Sequence, residues 1–203
     1  MTASVLVIAC GAIARELIQL KKTNGWEHME VQCLPAELHN HPQRIPEQVE
    51  SKLAAERKRF DKVFVAYADC GTGGALDRLL EPLGIDRLPG AHCYEFFAGS
   101  QAFGQLADEE PGTFYLTDFL VRHFDRLVIQ GLGLDRHPEL RDSYFGNYRR
   151  LVYLAQTHSD ELEARARSCA EQLQLDYQLR RTGLEHFEQA LAHQGPQEKS
   201  WQN

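Results

Sequence analysis

Val5-Leu6-Val7-Ile8-Ala9-Cys10-Gly11 is an apolar run with no polar alternation, closed by a cysteine and a glycine. Such a run is expected of a parallel strand buried on both faces. The pattern returns in Val63-Phe64-Val65-Ala66-Tyr67-Ala68-Asp69-Cys70-Gly71. Each run leads into apolar residues at helical spacing: Ile13, Leu17, Ile18 and Leu20 after the first, ended by Asn24-Gly25, and Leu76, Leu79 and Leu80 after the second. The echo fits an old duplication or the general likeness of strand–helix units. Working outward, strands are predicted at Met29 to Leu34, Thr113 to Leu116, Arg150 to Gln156 and Leu175 to Leu179, with a shorter segment around Arg87 to Ala91. Helices are predicted over Pro46 to Arg59, from His92 onward, from Phe119 as one long helix, around Pro138 to Tyr148, from Ser159 or Asp160 to near Gln172, and over Glu185 to His193. Strands alternating with helices imply an α/β fold: a mostly parallel sheet with helices on both faces. No linker or compositional break divides the chain, so one domain is expected over residues 1–193, with 194–203 as a frayed tail.

The chain has 203 residues, 43% of them hydrophobic and 25% charged, a globular composition with enough length to bury a core. Its net charge of −7 and its lack of a basic stripe argue against nucleic acid as a partner. No apolar run approaches the length of a membrane helix, and Met1 leads into the first strand without a basic segment, so a cytoplasmic protein is expected. Five cysteines, an odd number, point to thiols in a reducing compartment.

Cys10, Cys70 and Cys93 each fall at a predicted strand-to-helix crossing, where open α/β sheets bind ligands. Three thiolates could therefore meet in one crevice as metal ligands. Gly11, Gly71, Gly73 and Gly74 would let the backbone approach a bound group, and Thr117, at a later strand end, is a further candidate cofactor contact beside its role as a helix cap. Cys33, inside a strand, and Cys169, inside an Arg-rich helix, are better explained by packing or chance. No C-x-x-C occurs, so zinc-finger and ferredoxin spacings are absent. Two centres fit three dispersed thiolates: a [4Fe–4S] cluster with one iron left open, or zinc with an open fourth position. His39 and His41 form an H-x-H pair able to act as ligand, proton donor or substrate hook. Asp69 and Glu95 are candidate general acids or bases, although acidic residues also suit a helix first turn. Tyr67 and Tyr94 could donate hydrogen bonds to sulfur or substrate, with core packing as the plainer role. The Gly71-Thr72-Gly73-Gly74-Ala75-Leu76 stretch lacks the last small residue of a dinucleotide loop, and there is no P-loop, G-x-S-x-G or H-E-x-x-H. A lone nucleophile, Cys10 or Cys70 with His39 as base, would leave the placement of the other cysteines unexplained.

These segments resemble the domain of unknown function 1638 (DUF1638) family. The resemblance rests on Ala9-Cys10-Gly11 with Glu16-Leu17, Leu34-Pro35-Ala36-Glu37-Leu38-His39-Asn40-His41-Pro42, Tyr67-Ala68-Asp69-Cys70-Gly71, His92-Cys93-Tyr94-Glu95 with Gly99, and Tyr115-Leu116-Thr117-Asp118, continuing more weakly to Gln156-Thr157. Ala68 departs from the glycine frequent in the family. The resemblance implies a small cytosolic prokaryotic protein, often encoded beside corrinoid-dependent methyltransferases, without an established reaction, and it favours Cys10, Cys70, Cys93 and His39 as the site. The expected function is thus a metal-dependent enzyme acting on a small molecule of sulfur or one-carbon metabolism. It would use a [4Fe–4S] cluster or zinc on the three cysteines, with His39, Glu95 and Asp69 moving protons or orienting substrate. The alternative is a non-catalytic accessory that binds a metal or corrinoid cofactor for a methyltransferase partner. A metal-free scaffold of packed thiols is a third reading.

Overall fold

A computed structural model describes residues 4–192; the expected frayed tail over 194–203 lies outside the described residues. The chain forms two compact units, one from residues 4–93 and 187–192, the other from Tyr94–His186. Both are parallel sheets with helices around them, the α/β class expected, with the strands divided between a four-stranded and a three-stranded sheet.

In the first unit β1 (Val5–Cys10), β2 (Met29–Leu34), β3 (Lys62–Ala66) and β4 (Asp86–Arg87) lie in the order β2-β1-β3-β4. β1 is paired along both edges, Val5 with Met29 on one side and Lys62 on the other. That central position explains why all six of its residues are buried. On the edge strand β2 only Met29 and Leu34 are buried, and Cys33 is exposed, so packing does not account for that cysteine. β4 is shorter than the predicted Arg87 to Ala91 segment. The Leu88 amide still donates to the Val65 carbonyl at 3.1 Å, but Pro89 has no N–H to continue the ladder. Helices α1 (Ala14–Thr23), α2 (Ile45–Glu56) and α3 (Ala75–Leu80) follow β1, β2 and β3. The buried face of α2 is Ile45, Val49 and Leu53, each about one turn from the next.

The second unit holds β5 (Thr113–Thr117), β6 (Arg150–Ala155) and β7 (Asp176–Arg181), all parallel. Side chains alternate between two apolar layers: Leu116, Leu151, Tyr153 and Ala155 on one face, Tyr115, Val152 and Leu154 on the other. Helix α8 (Asp160–Leu173) covers the first face with Leu162, Ala166, Cys169 and Leu173, and α5 (Ser100–Glu109) covers the second with Phe103 and Leu106. Cys169 is a core residue, and burial pushes its thiol up to about 11. The helix predicted from His92 is two helices, α4 (Tyr94–Ala98) and α5, separated at Gly99, whose φ of +78° no helix accepts. The long helix predicted from Phe119 is likewise broken, into α6 (Asp118–Arg122) and a π-helical stretch over Asp125–Gln130. The cause is a side chain in the ladder: Arg165 Nε donates to the Val121 carbonyl at 2.9 Å, taking the acceptor the Asp125 amide would use in a regular helix. The short α7 (Arg141–Phe145) and the last helix, α9 (Glu185–Ala192), match their predicted positions. Among the described residues no helix is long and apolar enough to cross a membrane.

Candidate functional site

The order β2-β1-β3 means that the chain leaving β1 turns one way to β2, and the chain from β2 crosses to β3 on the other side of β1. Strand order reverses at β1 and β3, and ligand crevices of open α/β sheets form beyond the carboxyl ends of such strands. Cys10 is the last residue of β1, Cys70 lies four residues beyond β3, and Cys93 follows β4. All three belong to the first unit.

Cys10 caps a 3-10 turn, Gly11–Ile13, and its Sγ accepts the Ala12 N–H at 3.4 Å. Gly11 is required by space: a Cβ there would sit 2.9 Å from the Leu34 carbonyl oxygen and 3.2 Å from the Ala36 nitrogen. Because both obstacles are backbone, Gly11→Ala must displace either the Cys10 turn or the exit of β2. We expect a cost of about 1–3 kcal/mol in urea unfolding. A loss under about 0.5 kcal/mol would show that this close approach is not fixed.

Cys70 has φ of +49°, an uncommon left-handed conformation for a side chain with a Cβ. The turn that holds it is organised by Asp69, whose carboxylate accepts from Thr72 Oγ1 at 2.7 Å, the Gly74 amide at 2.7 Å and the Gly73 amide at 3.1 Å. Those donors hold the Asp69 carboxyl below the usual carboxylate range, the Thr72 hydroxyl most of all. Asp69, expected as an acid or base, here clamps the cysteine loop as an anion. With the folded pKa lowered, the clamp's stabilisation is complete above about pH 4 and is lost as pH falls through the folded value. Acid titration of stability should therefore be shallower for Asp69→Asn below about pH 4 than for the parent; identical curves would remove the clamp.

The same turn is tied to the chain before Cys93. The Asp69 amide donates to the Gly90 carbonyl at 3.2 Å and the Cys70 amide to the Ala91 carbonyl at 2.9 Å. Arg87 steadies that segment, donating to Asp77 Oδ2 at 2.8 Å and to the Leu88 carbonyl at 2.7 Å. The outcome is a sulfur pair: Cys70 Sγ and Cys93 Sγ are 3.0 Å apart. The contact between the two sulfurs, in which either can donate, holds Cys70 below the ordinary thiol range and, with burial, Cys93 above it. Cys10 is close enough to be raised by the charge of Cys70 and to raise Cys93 in turn; burial, opposed by the Ala12 N–H, pushes its thiol up to about 11.

Beside Cys10 lies Tyr67, 1% exposed, whose buried hydroxyl interacts with the Cys10 sulfur, raising its own pKa and lowering that of Cys10. Burial raises its pKa, and the charges of Cys10, Cys93 and Cys70 add to the rise. The turn that follows the His39 segment also reaches the site. A Cβ on Gly71 would touch Pro42 at 3.4 Å, placing the turn after β2 against the Cys70 loop. His39 keeps an exposed edge, yet the protein crowded about its ring, and secondarily His92, lowers its pKa. His41 is exposed.

Seven of the candidate residues, Cys10, Gly11, His39, Asp69, Cys70, Gly71 and Cys93, thus belong to the first unit. Glu95, in the first turn of α4, and Thr117 belong to the second. Thr117 caps α6, accepting the Leu120 N–H at 3.4 Å. Its neighbour Asp118 is fully buried and accepts from Tyr153 Oη at 2.7 Å, the Gln156 amide at 3.0 Å and Thr157 Oγ1 at 2.5 Å. That network was not anticipated, although the Thr117-Asp118 and Gln156-Thr157 pairs at adjacent strand ends are its signal. His92 was also passed over, its only mark being its place next to Cys93.

A family model described as "Protein of unknown function (DUF1638)" matches residues 33–191, most of the chain. Cys70, Cys93, His39, Asp69 and Thr117 fall within that span, whereas Cys10 and Gly11 precede it. No curated protein matches the chain.

Proposed function

The chain belongs to the DUF1638 family, whose description names no reaction, and from that premise we propose that Cys10, Cys70 and Cys93 form a soft-metal centre acting on a small molecule. The observation that carries the reading is the pairing of Cys70 and Cys93 at the sheet switch point, with Cys10 and the Tyr67 hydroxyl beside them. Among the described residues no three His, Cys, Asp or Glu side chains already stand as a finished metal site. The donor set nonetheless fits a soft ion: all ligands are sulfur, and Tyr67 offers a hydrogen bond to one of them. Two sulfurs on one tetrahedral zinc, with Zn–S of roughly 2.3 Å, stand about 3.8 Å apart. The observed pair would open by less than about 1 Å to meet that spacing, within reach of a loop carrying Gly71, Gly73 and Gly74 at positive φ. In a [4Fe–4S] cluster each cysteine binds its own iron, so the sulfurs must stand much farther apart. The geometry therefore favours the single ion.

A zinc ion held this way supplies a Lewis-acid position open to a substrate sulfur or oxygen. The chain's part is to hold three thiolates, to offer the Tyr67 O–H to a sulfur, and to present His39, its pKa lowered by burial and secondarily by His92, as a proton acceptor at the crevice edge. A soft open position suits thiols and thioethers, in keeping with a role in sulfur or one-carbon metabolism, and the unpaired thiols suit the cytoplasm. Protein prepared anaerobically should carry zinc in near-stoichiometric amount and no acid-labile sulfide, and should stay colourless. Brown protein with iron and sulfide would move the centre to the cluster. Absence of both metals, with no zinc uptake on addition, would overturn the reading. Tight metal binding without turnover of thiol or methylthioether substrates would make the protein an accessory, handing its metal or a corrinoid to a methyltransferase.

A further inference from the structure

We propose that Cys70 and Cys93 are a redox-active dithiol that exchanges with low-molecular-weight disulfides. The two sulfurs already stand at 3.0 Å, so the roughly 2.05 Å bond of a disulfide requires an approach of about 1 Å. Both residues are partly exposed, while Cys10 and Cys169 are buried. Both also sit in turns, which can take up the movement. Cys70 is followed by Gly71, Gly73 and Gly74, all at positive φ, and Cys93 directly precedes α4. The backbone between them is registered by the Cys70 amide to Ala91 carbonyl bond, so the pair meets without a search through loop conformations. Cys10, by contrast, is fixed at the end of the central strand with its sulfur engaged by the Ala12 amide.

The exchange balances as follows. The Cys70 sulfur, as thiolate after losing its proton to water, attacks one sulfur of a small disulfide RSSR, breaking the S–S bond and releasing RS⁻, which takes a proton back from water. The Cys93 sulfur then attacks Cys70 Sγ, expelling the second RS⁻, which takes the Cys93 proton. The protein loses two electrons and two protons, RSSR becomes two RSH, and a Cys70–Cys93 bond is made. Excess RSH runs the same steps backwards. The dithiol stands on the sulfur geometry alone. One consequence rests on the metal reading: sulfurs joined to each other cannot ligate, so oxidation would release the ion.

The test is thiol trapping on the full chain, reduced and stripped of metal by chelator, then equilibrated with glutathione buffers of increasing disulfide content and quenched with N-ethylmaleimide. Intact mass should show two of the five thiols withdrawn together, and peptide mapping should find Cys70 joined to Cys93. Cys93→Ser should stop at a glutathione adduct on Cys70, while Cys10→Ser and Cys33→Ser should still form the bond. Five alkylated thiols in every buffer, or a bond from Cys70 to Cys10 or Cys33 in the parent, would overturn the proposal. Zinc uptake is scored separately on the reduced protein. Disulfide formation without zinc binding removes the metal reading alone, and zinc binding without disulfide formation removes the dithiol alone.

Discussion

Asp118→Ala is expected to lower stability by about 3–5 kcal/mol, the cost of breaking a buried charged network from one side. The carboxylate is 0% exposed and joins three partners from the end of β6, the Tyr153 hydroxyl, the Gln156 amide and the Thr157 hydroxyl, with the Arg122 guanidinium 3.7 Å away. In the other direction the Asp118 amide donates to Gln156 Oε1 at 2.8 Å. Alanine deletes the acceptor and leaves several donors buried without one, which costs more than any one of the bonds contributed. Tyr153→Phe removes a donor and its partner interaction but no charge, so about 1–2 kcal/mol is expected there. In the double variant the tyrosine change should add little, because its acceptor has already gone. Urea unfolding followed by far-ultraviolet circular dichroism measures all three. An Asp118→Ala loss under about 1 kcal/mol would mean the network is not formed in solution.

Removing any one of the three sulfurs is expected to weaken zinc binding by more than about 100-fold, since even partners that only orient a ligand are worth about 10–100-fold. Cys70→Ala and Cys93→Ala each also dissolve the sulfur pair, so both effects should appear together. Cys10→Ala leaves the pair intact and removes only the third sulfur, which makes it the sharper variant. Cys33, exposed on an edge strand, and Cys169, in the core of the second unit, should tolerate alanine without loss of metal. Chelator competition on folded variants gives the affinities, and circular dichroism certifies the fold. Equal losses across all five cysteines would show that binding is not specific to this centre. Tyr67→Phe should reduce affinity by no more than about 100-fold if its hydroxyl serves a ligand sulfur.

The strands were legible because their residues obey one rule each. Val5 to Ala9 is apolar without alternation since β1 is paired on both edges, and nearly every strand boundary read from the sequence lies within two residues of the observed one. What escaped was set by side chains distant in sequence. The break after α6 depends on Arg165, some forty residues on, and the division between α4 and α5 on a left-handed Gly99. The division of strands between two sheets is a matter of pairing, which periodicity does not encode. In the site, the placement of three cysteines at strand ends was visible, because strand ends follow from the same runs. The 3.0 Å sulfur contact was not, since it hangs on backbone bonds from Asp69 and Cys70 to Gly90 and Ala91. Asp69 reads from the sequence as an acid, a base or a turn former, and its three donors depend on a turn geometry that the sequence does not encode.

Zinc K-edge X-ray absorption on the reduced, zinc-loaded full chain tests most directly whether Cys10, Cys70 and Cys93 share one ion. Three sulfur scatterers at about 2.3 Å are expected, falling to two in Cys10→Ala. A shell of nitrogen and oxygen only, or one that Cys10→Ala leaves unchanged, would contradict a common centre.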